Sequence, residues 1–334
     1  MTPDGRAPST PVPTAPGPVK RWVLGARPRT LPAALVPVVV GTAAAHQLGP
    51  RIWAHGAPLA GTALPRVNPW WCALGALVVA LSIQVGTNYA NDYSDGIRGT
   101  DDARVGPLRL VASGLASPSS VKRAALICFG VAGVVGLALA WATSWWILVV
   151  GAACLAAGWF YTGGPRPYGY AGLGELFVFV FFGLVATVGT YYVQTVRLGV
   201  PVVWFAAVLV GLLATALLLA NNLRDIASDT DAGKQTLAVR VGRRAGGWMY
   251  VSCVVLPFVA VLVWAVLSVT GTLSATRPPI AFLPLVAFPL ALVPARVVNG
   301  DAEGRALLPV LAATGRLQLV FGVLLSVALW LWIA

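Results

Sequence analysis

Nine stretches of the chain are continuous apolar runs, at roughly 31–47, 70–90, 122–141, 145–161, 173–194, 201–221, 248–270, 279–298 and 316–333. Each is near the ~20 residues that a helix needs to cross ~30 Å of hydrocarbon. Barrel strands would alternate polar and apolar positions over about ten residues. These runs do not alternate, so the pattern predicts membrane-spanning helices. The third and fourth runs are joined by a very short turn around "WATSWW" and could be miscounted as one long helix. Small residues recur inside the runs, as in "GTAAAH", "GVAGVVG" and "GLLATA", which is the pattern that lets membrane helices approach closely.

Composition agrees with the pattern. Of 334 residues, 58% are hydrophobic and only 10% charged, too little charge to cover the surface of a soluble protein of this size. The expectation is an all-α, multi-pass membrane protein with a single domain over 20–334. Residues 1–19, "MTPDGRAPSTPVPTAPGPV", are rich in Pro, Ser, Thr and Ala without an apolar core, which predicts a disordered cytoplasmic tail rather than a signal peptide. The four cysteines (Cys72, Cys128, Cys154, Cys253) fall inside apolar runs with no metal-binding spacing, as buried small hydrophobes do.

The net charge of +12 is spread over the segments between runs, which argues against nucleic acid and for orientation in a membrane. With nine spans and a cytoplasmic N-terminus, 19 of the 23 basic residues lie inside, and only Arg51, Arg66, Arg197 and Arg277 lie outside. The positive-inside rule therefore predicts N-in and C-out. All eleven acidic residues fall on that same inner side. Acids contribute little to topology, so their placement calls for a chemical reason.

Two acidic clusters supply it. In "NYANDYSDGIRGTDD" (88–102), Asn88, Asp92 and Asp95 stand at i, i+4 and i+7; in "NNLRDIASDTDAGKQT" (221–236), Asn221, Asp225 and Asp229 stand at i, i+4 and i+8. Each set shares one helix face. Each also lies at the inner end of an even-numbered span, as in a degenerate internal repeat. Carboxylate and amide oxygens suit Mg²⁺, which is held by a few carboxylates plus substrate phosphates. The four carboxylates carry a charge that two Mg²⁺ ions neutralise, and a diphosphate then needs the nearby bases Lys234, Arg98, Arg109 and Arg224. Asp101, Asp102 and Asp231 read as solvated loop charges. A cation-coupled transporter is the rival of another class, but its acids belong near the bilayer midplane, whereas these sit at span ends beside Lys and Arg.

The paired clusters resemble the aspartate motifs of the UbiA superfamily of intramembrane prenyltransferases. Further stretches, "WVLGARPRTLPAALVPVVVG" (22–41), "GPLRLVASG" (106–114) and "FYTGGPRPYGYAGLGEL" (160–176), resemble its 1,4-dihydroxy-2-naphthoate polyprenyltransferase branch. The resemblance implies a nine-helix bundle around a central cavity with a cytoplasmic cap, in a bacterial cell membrane. It also implies Mg²⁺, a polyprenyl diphosphate donor, a dihydroxynaphthoate acceptor, and the products demethylmenaquinone, diphosphate and CO₂. Asp92, Asp225 and Lys234 would be catalytic, with Asn88, Asp95, Asn221 and Asp229 completing the metal set. Arg27, Arg29 and Arg166 are candidates for the acceptor carboxylate, and Glu175 or Tyr161 for its hydroxyl. Many superfamily members have aspartate where this chain has Gly96, which leaves open whether Asp95 meets metal directly or through water. Other aromatic acceptors share the same aspartates and remain the alternative within the superfamily.

Overall fold

The computed structural model describes residues 16–55, 70–100, 108–273 and 278–332, with side chains omitted over 47–55. The tail up to residue 15, Arg66, Asp101, Asp102, Arg104, Arg277 and Ala334 lie outside the described residues. Among the described residues the chain is helical throughout. The helices are α1 (Pro18–Gly25), α2 (Pro32–His55), α3 (Trp70–Ile97), α4 (Pro118–Ala142), α5 (Trp146–Phe160) and α6 (Gly174–Val178). They continue with α7 (Ala186–Thr195), α8 (Pro201–Asp231), α9 (Leu237–Val269), α10 (Pro289–Asn299) and α11 (Leu308–Trp332). All nine apolar runs of the sequence fall on helix.

Among the described residues, six spans are long and apolar enough to cross a membrane: α3, α4, the continuous Gly174–Thr195 segment, α8, α9 and Gly304–Leu331. Two more arise if bent pairs are taken as single spans. One bends by 56° between Pro18–Thr30 and Pro32–His46, and the other by 41° between Pro279–Ala287 and Pro289–Asn299. Proline explains both breaks, because its ring clashes with the preceding turn and removes a donor. The remaining run, the fourth, is α5, whose 15 residues extend only about 22 Å. The chain is thus a multi-pass membrane protein with six to eight spans of full length.

α3 and α8 differ from the rest in a way that matters for the site. Their 28 and 31 residues give lengths of about 42 and 46 Å, roughly 12–16 Å more than the hydrocarbon layer. Each helix is thus longer than that layer is thick, and the acidic motifs lie on its last turns. α3 packs along α4, and α8 along α9. Each motif helix thus ends in a loop, and the chain returns as the helix packed against it. α8 is the central helix: residues on all its faces, from Val203 to Asp229, are buried.

The span from Gly174 to Thr195 is interrupted by a seven-residue π-helix, Phe179–Val185. Here it crosses α8 backbone to backbone. A Cβ added at Gly183 would lie 2.4 Å from the Gly211 Cα and 3.0 Å from the Ala207 carbonyl oxygen, atoms that cannot yield without separating the helices. Gly183→Ala is therefore expected to destabilise the fold by about 1–3 kcal/mol, the usual cost of overpacking. Gly189, four residues into α7, has nothing within 4 Å of its would-be Cβ. Thermal unfolding in detergent checks the contrast: Gly183→Ala lowers Tm and Gly189→Ala does not, and equal Tm values would refute the close contact.

Candidate functional site

The first motif lies on the last two turns of α3. Asp92 is fully buried, and its two oxygens accept the backbone N–H groups of Leu110 (2.7 Å) and Val111 (3.0 Å). This pins the 108–117 segment beneath the helix and holds Arg109 in place. One turn on, the Asp95 carboxylate accepts the Tyr170 hydroxyl at 2.5 Å and the Lys234 ammonium at 3.3 Å on Oδ1. Arg109 lies 3.7 Å from its Oδ2. Asn88 has a different task from the one anticipated. Its amide donates to the Ala26 carbonyl (2.9 Å) and the Thr30 hydroxyl (3.1 Å), and its oxygen accepts from Gln84 (3.4 Å). These bonds brace the turn at Arg27, which sits in the left-handed region (φ 53°), a conformation that costs a non-glycine residue energy and persists only where the surroundings impose it.

The second motif ends α8. The buried Asp225 accepts two bonds of 2.6 Å from its neighbour Arg224. Gly233, at φ 70°, supplies the turn that an L side chain resists. The chain therefore reverses and returns Lys234, 4% exposed, to Asp95 on the other motif. The two motifs meet through this pair.

A polar cavity of about 50 Å³ lies between them, lined by Asp95, Arg109, Asn91, Asn221, Asp229, Lys234, Tyr170, Tyr161 and Arg27 among others. A far larger cavity of about 1090 Å³ lies beneath. Its walls are apolar, from Ile83 on α3 through Phe181 and Val185 on the π-helix to Leu148 on α5 and Trp204 on α8. Arg27, Asn91, Arg109, Tyr161 and Asn221 line both cavities and so form the neck between them. The carboxylates of Asp92 and Asp225 face neither space; Asp95 and Asp229, the last acid of each motif, are the ones on the polar cavity wall.

Several predicted residues sit elsewhere. Arg98 is exposed at the end of α3, and its guanidinium donates to the carbonyls of Thr162 and Gly164. It ties the helix to the following loop, outside the polar cavity. Arg29 and Arg224 line the large cavity only. Arg166 is exposed and lines neither. Glu175, expected beside the acceptor, also lines neither: one of its oxygens accepts the Asn222 amide at 2.9 Å, so it braces α8 behind the second motif. The short α6 before the π-helix gives too few residues for sequence periodicity to tell which way Glu175 faces. Tyr170 was not singled out from the sequence, although the "RPYGYAGLGE" stretch holding it was.

The arrangement matches what comparison with known proteins finds. The UbiA prenyltransferase family matches residues 34–306. The chain belongs to this family. It is 47% identical over 312 residues to a 1,4-dihydroxy-2-naphthoate octaprenyltransferase of Mycobacterium tuberculosis, covering 92% of this chain and 96% of that one. With the Escherichia coli protein of the same name it shares 35% identity over 317 residues, covering 93% and 95%. A UbiA homolog from Archaeoglobus fulgidus, solved bound to DMAPP and Mg²⁺, has the same fold. Its TM-score is 0.59 at 15% identity, over 93% of this chain and 99% of the other. In this UbiA chain no three His, Cys, Asp or Glu residues among those described converge into a ready cage for a metal. The donor set is nonetheless hard oxygen, with Asp95, Asp229 and Asn221 on one cavity wall and bases beside them. That chemistry fits Mg²⁺, which keeps waters and shares its coordination with substrate phosphates.

Proposed function

We propose that this chain transfers a polyprenyl group from a polyprenyl diphosphate to 1,4-dihydroxy-2-naphthoate with Mg²⁺ present, releasing diphosphate and CO₂ and giving demethylmenaquinol, the reduced form of demethylmenaquinone. The observation that carries this reading is the stacking of the two cavities. A small cationic and acidic chamber opens through a polar neck onto a long apolar one, which is the division between head and tail of a polyprenyl diphosphate. The names of the relatives select the acceptor.

The residues divide accordingly. Asp95, Asp229 and Asn221 would hold Mg²⁺ from the cavity wall, with Asp92 and Asp225 one turn deeper adding negative charge and Asn88 bracing the neck. When bound, Mg²⁺ would neutralise charge on the diphosphate and assist its departure as a Lewis acid. Lys234 and Arg109 lie where charge grows as the allylic C–O bond breaks, which is where fixed cations lower a barrier most. Arg224 stands at the rim of the large cavity. The apolar chamber holds the isoprenoid chain and keeps water from the cationic allylic carbon. The acceptor has to meet that carbon at the neck. We therefore assign its carboxylate to Arg27 and its hydroxyl to Tyr161. The ring attacks through the carbon bearing the carboxylate: a C–C bond forms there, and the electron pair of the breaking C–CO₂ bond restores aromaticity. No strong base is needed at that carbon.

We also read α5 and both bent pairs as crossings. This gives nine spans with a cytoplasmic N-terminus and the loops after α3 and α8 as a cap on the cytoplasmic side. In a background lacking the native cysteines, labels at positions 198 and 244 are then expected on opposite sides of the membrane. Finding both on one side would sink this topology. The activity itself is tested with purified protein, Mg²⁺, a prenyl diphosphate and dihydroxynaphthoate, assayed for prenylated product and CO₂. Product formed from hydroxybenzoate or homogentisate, and none from dihydroxynaphthoate, would overturn the assigned acceptor.

A further inference from the structure

Tyr170 belongs to neither acidic motif, yet it touches both. It sits in a single turn of 3₁₀-helix, Tyr168–Ala171, between α5 and α6. Its hydroxyl donates to Asp95 Oδ1 at 2.5 Å, with the Thr100 hydroxyl 3.4 Å away. Its carbonyl accepts the backbone N–H of Gln235 at 3.0 Å, directly after Lys234. Its ring lies under two cations, 4.8 Å from the Lys234 ammonium and 5.5 Å from the Arg98 guanidinium, inside the range of cation–π attraction. Burial first, and then the Asp95 carboxylate, push the phenol above its ordinary value, so it stays protonated and serves as a donor.

The geometry points to Tyr170 as a positioning residue for the diphosphate site, one that keeps Asp95 aimed into the polar cavity while Lys234 changes partner. This rests on the prenyl diphosphate reading above. The cavity of about 50 Å³ has room for only a few waters, so a diphosphate fits only if the groups lining it move apart. The Lys234–Asp95 pair is a contact between two of those lining groups, one from each motif. A lysine on a flexible stem can swing to an arriving anion; Asp95 would then lose a partner from the same oxygen. The Tyr170 hydroxyl is bonded to that oxygen and is anchored through its own backbone to residue 235, so it holds the carboxylate in place through the exchange. The ring performs a second task by offsetting repulsion between Lys234 and Arg98 before any anion is present.

The test uses detergent-purified full-length protein, with Mg²⁺ and inorganic diphosphate as the probe in calorimetric titration. Tyr170→Phe removes only the hydroxyl and keeps the ring and the bond to Gln235, so the fold and Tm are retained. Loss of one hydrogen bond to a charged group is expected to weaken Mg²⁺-diphosphate binding about tenfold, to raise KM for prenyl diphosphate similarly, and to leave acceptor KM unchanged. In an Asp95→Asn background the same substitution should add little, because Tyr170 acts through Asp95. Wild-type affinity in Tyr170→Phe, or a loss that persists undiminished in the Asp95→Asn background, would overturn the proposal. Because the probe is diphosphate itself, an acceptor other than dihydroxynaphthoate leaves this readout intact. Wild-type protein that failed to bind Mg²⁺-diphosphate would overturn both readings.

Discussion

Asp92→Ala is expected to abolish turnover. The carboxylate is fully buried and accepts two backbone N–H groups, from Leu110 and Val111. Hydrogen bonds to a charged acceptor are worth about 1.5–3 kcal/mol each. Their loss frees the segment that carries Arg109, a residue lining both cavities. It also removes one of the negative charges behind the proposed metal position. If the lost stabilisation of about 3–6 kcal/mol falls on the transition state, the rate drops by roughly two to four powers of ten. Asp231→Ala, at the exposed end of α8, is the control and should stay near the wild-type rate. Both are measured at saturating Mg²⁺. A near-normal rate for Asp92→Ala would remove the first motif from the mechanism.

Lys234→Ala should have the next largest effect. Lys234 is buried, faces the polar cavity and reaches Asp95 across the two motifs. In the proposed site its contact with the leaving group would strengthen as charge develops there, so its loss should fall on kcat for every acceptor alike. A single charge-assisted contact of about 1.5–3 kcal/mol predicts a drop of roughly tenfold or more. Lys234→Arg keeps the charge but replaces a compact ammonium with a planar fork, and partial activity is expected. Kinetics varying donor and acceptor in turn decide the matter. A Lys234→Ala protein with normal kcat and altered acceptor KM would move this residue from the diphosphate to the ring.

The helices were legible because apolar length leaves few alternatives in a membrane: without water, backbone groups must bond within the helix. The motif faces were legible too, since i, i+4 spacing places Asn88 with Asp92, and Asn221 with Asp225, whatever surrounds them. What each side chain does there was not. Asp92 and Asp95 share a face, but only the fold of residues 108–117 shows that the first holds backbone and the second lines a cavity. Asn88 reads as a ligand by spacing, and its side-chain amide is engaged with the Ala26 carbonyl and the Thr30 hydroxyl, 62 and 58 residues away, on either side of the turn at Arg27. Arg98 reads as a diphosphate contact by proximity and is taken instead by two carbonyls of the next loop. The bend before α2 was not anticipated, although the prolines of "RPRTLP" disfavour continuous helix. Tyr170 carried no such signal. A tyrosine in a loop between spans looks like an interfacial anchor, and its bonds to residues 95 and 235 exist only once three separate segments have come together.

The two stacked chambers also give the reaction a built-in exit. In the proposed reaction one molecule is held at both ends before the chemistry, by charge above the neck and by apolar contact below it. Breaking the C–O bond cuts that molecule in two, and decarboxylation strips the acceptor of its own anion. The quinol product then has no charged group left for Arg27, Lys234 or Arg109 to grip. Its tail would lie in the chamber lined by Ile83, Phe181 and Val185, surroundings no more apolar than the lipid outside, so moving into the bilayer would forfeit little hydrophobic stabilisation. Catalysis thereby erases the affinity that assembled the complex, and the membrane acts as the sink into which the product partitions.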